Sequence, residues 1–314
     1  MLIIKAKGGL GNRLLSAATA IAYARATGRD WCIDWRDGLY APNGENAIEL
    51  MFDVPKQTRL LTLKDDALVL PALWLNRVHL PVRNIISAEF DNQHSSPFIY
   101  KKLCAPFCRH PAKGVEEIFW SYTSKFERIK RYLTKEQRKA GRDAVLADVL
   151  TGFLMPQKDI VKAADALLAH GPENTLGVHI RYTDLKVPIE RVIEQVKEQL
   201  RLFNYRYIYL ATDSLEAQEK FNAQFSSVII QTKRYAPKNT QLHVINEYDE
   251  KRNDADAALI DLIALSKCRG LVYCSRSSFS ETSRLYGDFD RDRLVDIDRF
   301  NAVVNIKQWL QERL

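Results

Sequence analysis

The sequence predicts an α/β protein built from two Rossmann-like domains in series. The length of 314 residues exceeds what one hydrophobic core usually supports. Short apolar runs alternate with stretches of helical periodicity, the rhythm of parallel βαβ units. That rhythm occurs twice, once at the N-terminus and again after residue 158, with a different texture between.

The first unit opens with "LIIKA" (2–6), a short apolar strand. "KGGLGN" turns the chain, and "RLLSAATAIAYARATG" (13–28) follows with apolar residues at 14, 18, 21 and 22, a helical stripe. Its alanines allow close approach to a sheet, and Gly28 ends it. "WCIDW" (31–35) reads as the next strand, which completes one βαβ unit. Residues 36–150 alternate prolines with short apolar runs, then give basic amphipathic helices around 124–153. Pro156 marks a junction.

Beyond it the pattern is regular. Helices are expected over 159–171, 189–203, 214–225, 253–268 and 278–287, and strands over 175–181, 205–213, 226–232 and 269–275. The last stretch, 301–314, carries Val303, Ile306, Leu310 and Leu314 at helical spacing. The expected domains are therefore 1–155 and 156–300, with a C-terminal helix over 301–314. Ligands of open α/β sheets bind outside the carboxyl ends of the strands, so the site is expected in the cleft between the domains.

Composition narrows the function. With 46% hydrophobic and 27% charged residues the chain is an ordinary globular protein. No signal segment or membrane span is expected: "LII" is too short for one, and "ALVLPALWLNRVHLPV" is interrupted by prolines, Arg and His. Five cysteines (Cys32, Cys104, Cys108, Cys268, Cys274) read as reduced thiols, hence a cytoplasmic protein. The net charge of +7 is concentrated between Lys101 and Arg142. Such a face is either a solvated helix surface or a contact with an anionic membrane or acidic ligand. No aromatic-interleaved motif or zinc-finger spacing supports nucleic acid. Cys104, Cys108 and His110 lack the second ligand pair of a structural zinc site, so no metal is expected.

Four motifs carry chemistry. In "KGGLGNR" (7–13), Gly9 and Gly11 let backbone approach a ligand, Asn12 suits an N-cap, and the helix start offers N–H groups to an anion. On spacing alone it is equally a tight turn. In "GVHIRYTD" (177–184), Gly177, His179 and Arg181 share one face of a strand, with Arg181 near its carboxyl end. That guanidinium fits phosphate oxygens, or else a structural ion pair. Asp213, just past "YIYLAT", is either an N-cap or a ligand contact. In "CSRSSFSE" (274–281), capping explains one serine but not four, and a hydroxyl-rich helix start cradles anions. Asp261, inside the apolar "LIDLIAL", needs either a partner or a surface position.

Taken together, "GVHIRYTD", "YLATDS" and "LIDLIALSKCRGLVYCSRSSFSE" resemble the three ordered motifs of the α-1,6-fucosyltransferases. "GGLGNRLLSAATAIAYARATGR" is similar to the N-terminal glycine loop of the wider fucosyltransferase group, protein O-fucosyltransferases included, and "GRDWCIDWRDGLY" to the second strand of the rhizobial nodulation enzyme. The resemblance covers about residues 1–55 and 155–290. It implies a GT-B fold, a GDP-fucose donor, inversion at the anomeric carbon and no metal. Residue by residue, it implies that Arg181 binds the donor phosphates and that His179 and Asp261 hold the guanine. It implies further that Asp213 is the second-motif aspartate and that Ser277, with Ser278 beside it, meets the β-phosphate. Lys186 and Glu190 match a Lys/Glu pair only with one inserted residue. The α-1,6 enzymes carry a second arginine where this chain has Tyr182, which leaves linkage and sugar open.

The expectation is thus an inverting, metal-independent glycosyltransferase, with Arg181 as the catalytic residue and the N-terminal domain on the acceptor side. The donor site would comprise Gly9, Gly11, Asn12, Arg13, His179, Arg181, Asp213, Asp261, Ser277 and Ser278. Its partners would be a GDP-sugar, a saccharide acceptor and an anionic membrane face. A different nucleotide sugar, or binding without catalysis, are the alternatives. Asp34, Asp37, Glu45 and Glu49 are the candidate bases for the acceptor hydroxyl.

Overall fold

The computed structural model describes residues 1–42, 44–56, 68–89, 115–121, 124–182, 187–235, 251–299 and 301–313. The chain divides into two compact units, Met1–Met155 with Lys307–Leu314, and Pro156–Ile306. The cysteines Cys104 and Cys108, with His110 and Lys186, lie outside the described residues.

The first unit holds a four-stranded parallel sheet. Its strands are β1 (Leu2–Lys5), β2 (Trp31–Asp34), β3 (Leu68–Leu70) and β4 (Val115–Phe119), in the order β2-β1-β4-β3. Leu2, Ile3 and Ile4 are fully buried, so β1 reads as a continuous apolar run, as a strand covered on both faces should. Helix α1 (Leu10–Thr27) packs against β1 and β2. Gly28 ends it in the left-handed region (φ 65°) and donates its N–H to the carbonyls of Ala24 and Arg25.

Two short helices follow, α2 (Ala47–Met51) and α3 (Val82–Glu89), then α4 (Phe126–Ile129) and α5 (Lys135–Phe153), which breaks at Gly141 (φ 88°). Thr134 starts α5 with a capping box. Its hydroxyl accepts from Gln137 N (3.2 Å), and Gln137 Oε1 accepts from Thr134 N (3.0 Å). The sequence did not reveal β3 and β4. β4, "VEEIF", looks polar, but Glu117 is buried because the guanidinium of Arg29 pairs with it.

The second unit holds a five-stranded parallel sheet of order β7-β6-β5-β8-β9. Its strands are β5 (Thr175–Ile180), β6 (Tyr207–Thr212), β7 (Val228–Ile229), β8 (Gly270–Tyr273) and β9 (Leu294–Asp296). The helices are α6 (Lys158–Leu167), α7 (Ile189–Phe203), α8 (Leu215–Asn222), α9 (Lys251–Lys267) and α10 (Ser278–Tyr286). β5 shows the expected alternation. Leu176, Val178 and Ile180 pack with Val192 and Val196 of α7 and Phe221 of α8. Gly177 faces the other way, where a Cβ would meet the side chains of Cys268 and Leu265 at 3.2–3.3 Å, so a larger residue there would make those neighbours shift by a few tenths of an ångström. The chain runs from β5 outward to β7, then returns to β8 on the other side of β5. The switch point therefore lies between the carboxyl ends of β5 and β8.

The terminal helix α11 (Ala302–Arg313) leaves Val303, Ile306, Trp309 and Leu310 exposed. Among the described residues no helix is long and apolar enough to cross a membrane.

Candidate functional site

His179 and Arg181 come to the switch point on β5, and the serine loop comes there on β8. β5 ends at Ile180, so Arg181 sits half-buried just past the strand rather than within it. The turn behind it is fixed by Asp213, whose Oδ1 accepts from Tyr182 N at 2.7 Å. Asp213 reaches that position because Thr212 pairs with Ile180 across the two strands. It does not cap α8. That role falls to Ser214, whose hydroxyl accepts from Ala217 N at 3.3 Å. Tyr182, in place of a second arginine, packs against the core, and Lys220 Nζ lies 5.7 Å from its ring centroid. Glu190 is exposed in the first turn of α7.

His179 is buried, its ring stacked on Phe279 with centroids 5.0 Å apart. Nδ1 is buried with no hydrogen-bond partner. Burial first, and then the charges of Arg181 and Lys233, push its pKa down to about 3, so the imidazole is neutral near pH 7. This has a consequence for stability. The unfolded chain takes up a proton near 6.5 and the folded one does not, so His179 makes stability fall as pH drops from about 6.5 towards 3. The slope approaches about 1.4 kcal/mol per pH unit. Urea unfolding of His179→Phe at pH 7 and pH 5 should show that slope reduced by one proton.

Ser277 sits at the N-cap position of α10, where its hydroxyl makes no capping bond. Its Oγ is buried and has no partner. Neighbouring hydroxyls are satisfied: Ser280 donates to the carbonyl of Cys274 (2.9 Å) and Thr282 to that of Ser278 (2.7 Å). The loop is held from the last residue of β9 and from just beyond it. Asp296 Oδ1 accepts from Ser275 N (3.0 Å), and Asp298 Oδ2 accepts from Arg276 Nε and Cys274 Sγ, each at 2.6 Å. Ser278, at the first position of α10, is half-buried beside Ser277. A buried hydroxyl without a partner is costly. Ser277→Ala should therefore leave thermal stability unchanged or slightly raised, while weakening a phosphate ligand about tenfold. Melting and titration on the same sample check both.

Asp261 is buried in the middle of α9, which excludes the surface position. Tyr209 OH donates to its Oδ1 at 2.6 Å, and the ammonium of Lys233 pairs with Oδ2. Burial, then the nearby carboxylate, holds the Tyr209 hydroxyl well above the usual phenol range.

The glycine loop of the first unit differs from its expected form. Gly8 turns the chain at φ 85°, so α1 starts at Leu10, three residues early. Gly9 takes the N-cap position, and Gly11 and Asn12 lie inside the first turn, so Asn12 is no cap. Arg13 is not an open cation. Its guanidinium is fully buried, with Nε donating to the Gly8 carbonyl (2.8 Å) and Nη1 and Nη2 to Asp37 (3.2 and 2.6 Å). It also lies 4.8 Å from the Tyr40 ring centroid. Asp37 is thereby withdrawn from the candidate bases. Asp34 is withdrawn too. Burial works against its charge, but Lys5 (2.6 Å) and Arg36 (2.8 Å) outweigh it and keep the carboxyl below the usual range. Glu45 is exposed and Glu49 half-buried.

Two parallel sheets of Rossmann type, with polar groups gathered at the carboxyl ends of β5 and β8, define the class: the chain has the fold of the GT-B fucosyltransferases. No family model matches it. Nodulation protein Z of Azorhizobium caulinodans is 23% identical, over 96% of this chain and 92% of that protein. The fucosyltransferase NodZ from Bradyrhizobium superposes with a TM-score of 0.63 at 19% identity, over 93% of this chain and 95% of that one. NodZ α-1,6-fucosyltransferase soaked with GDP-fucose gives 0.62 at 20% identity, over 93% and 96%. POFUT1 in complex with GDP-fucose gives 0.53 at 12% identity, over 94% and 97%. The likeness read from the motifs is borne out as one of fold.

Proposed function

We propose that the protein is an inverting, metal-independent glycosyltransferase that moves L-fucose from GDP-fucose to an oligosaccharide, glycolipid or polysaccharide-precursor acceptor. The observation that carries this reading is a pair of buried polar atoms without partners, His179 Nδ1 and Ser277 Oγ. They flank one switch point, next to Arg181, and Phe279 packs on the His179 ring two residues after Ser277. A polar ligand at that point would relieve both deficits.

The chemistry follows from the charges. Departure of a nucleoside diphosphate from a sugar builds negative charge on the phosphates. Arg181, the first N–H groups of α10 and the Ser277 hydroxyl are fixed positive partners for that charge. Asp213 is a positioning residue, holding the turn that aims Arg181. The fold of relatives solved with GDP-fucose supports the donor assignment. The place of Tyr182, packed on the core, keeps another GDP-sugar as a second reading.

The test is titration of GDP, GDP-fucose and UDP in EDTA, followed by NMR assignment of the product's anomeric configuration. Binding of the two guanine nucleotides without metal, rejection of UDP and transfer with inversion are expected. Absence of guanine nucleotide binding overturns the proposal.

A further inference from the structure

The positive charge of the chain is not spread evenly. Residues 125–142 hold eight Lys or Arg against two Glu, which is +6 of the net +7. They form α4, a 3₁₀ turn (Lys130–Tyr132) and the start of α5. Phe126, Ile129 and Leu133 are buried, and the Tyr132 ring meets that of Tyr23 on α1 with centroids 5.1 Å apart, so the segment is fixed to the first unit from within. Lys130, Arg131, Lys135, Arg138 and Lys139 are exposed on its outside. No large apolar side chain is exposed among them.

A merely solvated helix face mixes its charges. The exposed side of α7 does so, with Glu190, Arg191, Glu194, Lys197, Glu198 and Arg201. The start of α5 does the opposite. Residues 134–140 bury nothing, and the buried residues of α5 begin at Val145. Lys135 stands in the first turn, where the helix dipole opposes a cation. Arg138 and Lys139 follow it at the two spacings at which like charges on a helix repel. The capping box of Thr134 and Gln137 holds the turn helical against that repulsion. Ion pairs offset little of the charge: Glu127 lies 3.6 Å from Lys130, and Asp143 takes Arg142. Lys135, Arg138 and Lys139 have no ion pair among the described residues. Local conflicts of this kind are kept where a surface has a use for them.

Shape and chemistry select the partner. A protein partner needs an apolar centre to its contact. A single strand of nucleic acid is held in a groove with aromatic platforms. This face projects, and it offers neither. The headgroups of an anionic bilayer need only the cations, and a cluster of four to eight is enough.

We infer that the exposed cations of the α4–α5 segment dock the first unit on an anionic lipid bilayer. The inference does not depend on which sugar the protein transfers.

The test is co-sedimentation with vesicles of phosphatidylglycerol and phosphatidylcholine in equal parts, and with vesicles of phosphatidylcholine alone. Wild type should bind the anionic vesicles at about 50 mM salt, leave them at about 0.5 M, where exposed charges are screened, and ignore the neutral ones. The variant Lys135→Gln/Arg138→Gln/Lys139→Gln should bind about 10²-fold more weakly, near fivefold per cation. The variant Arg191→Gln/Lys197→Gln/Arg201→Gln removes as much charge from α7 and should bind within about threefold of wild type. All six side chains are exposed, and thermal melting checks that both variants fold. If wild type ignores both vesicles or binds both alike, the inference is overturned without any variant. If the two variants lose equally, net charge and not this face holds the membrane, and the inference is again overturned. Binding of an RNA oligomer in place of vesicles would make the face a nucleic-acid site and overturn it too. GDP titration of the same proteins reads the donor assignment separately, so either reading can fail alone.

Discussion

Arg181→Ala is expected to lower kcat/KM for GDP-fucose by about 10²–10³-fold, the usual cost of removing one preorganised partner of transition-state charge. GDP affinity should fall about 10- to 100-fold, as for loss of a charged hydrogen bond. The fold should survive, because Asp213 fixes the turn after β5 through the backbone N–H of Tyr182. Arg181→Lys should fall between the two, since an ammonium keeps the charge but loses the planar fork. Steady-state kinetics with calorimetry measures both. An Arg181→Ala enzyme within threefold of wild type would remove this residue from the mechanism.

Arg13→Ala should instead destabilise the first unit strongly. Its guanidinium is fully buried against Asp37, Gly8 and the Tyr40 ring, so truncation strands a buried carboxylate. Breaking one side of such a pair costs about 3–5 kcal/mol. Asp37→Ala should cost a similar amount. The double replacement should cost less than the sum, because neither charge is then left alone. Urea titration of the three variants reads this directly. Strict additivity would mean that the two residues act separately. The contrast with Arg181 separates two arginines that the motifs alone placed in one donor site.

The sequence made the second unit legible because its strands are apolar and its helices long and periodic. β5 was expected to end one residue later than it does, and the faces of Gly177 and His179 followed from simple alternation. In the first unit β4 stayed hidden, since its two glutamates mimic a loop until Arg29 is seen to pair with Glu117. The site divided in the same way. His179, Arg181 and Ser277 announced themselves by being polar at strand ends. The partners of Arg13, Asp34 and Asp261 did not, because contacts across 24, 29 and 28 residues leave no local signature. Tyr209 gave a faint signal, since a phenol in a buried strand needs an acceptor, and Asp261 supplies it.

The clamp of Asp296 and Asp298 on the serine loop sets an order of assembly. The hydroxyl-bearing segment 274–278 precedes its own restraints by some twenty residues, and those restraints lie at the exit of an edge strand. On the ribosome, every residue of the serine loop emerges before the two carboxylates that give it shape. A nascent chain stopped at 290 would display the whole motif and still lack its preorganisation. The serine loop therefore takes its final shape late in synthesis, when β9 docks at the sheet edge.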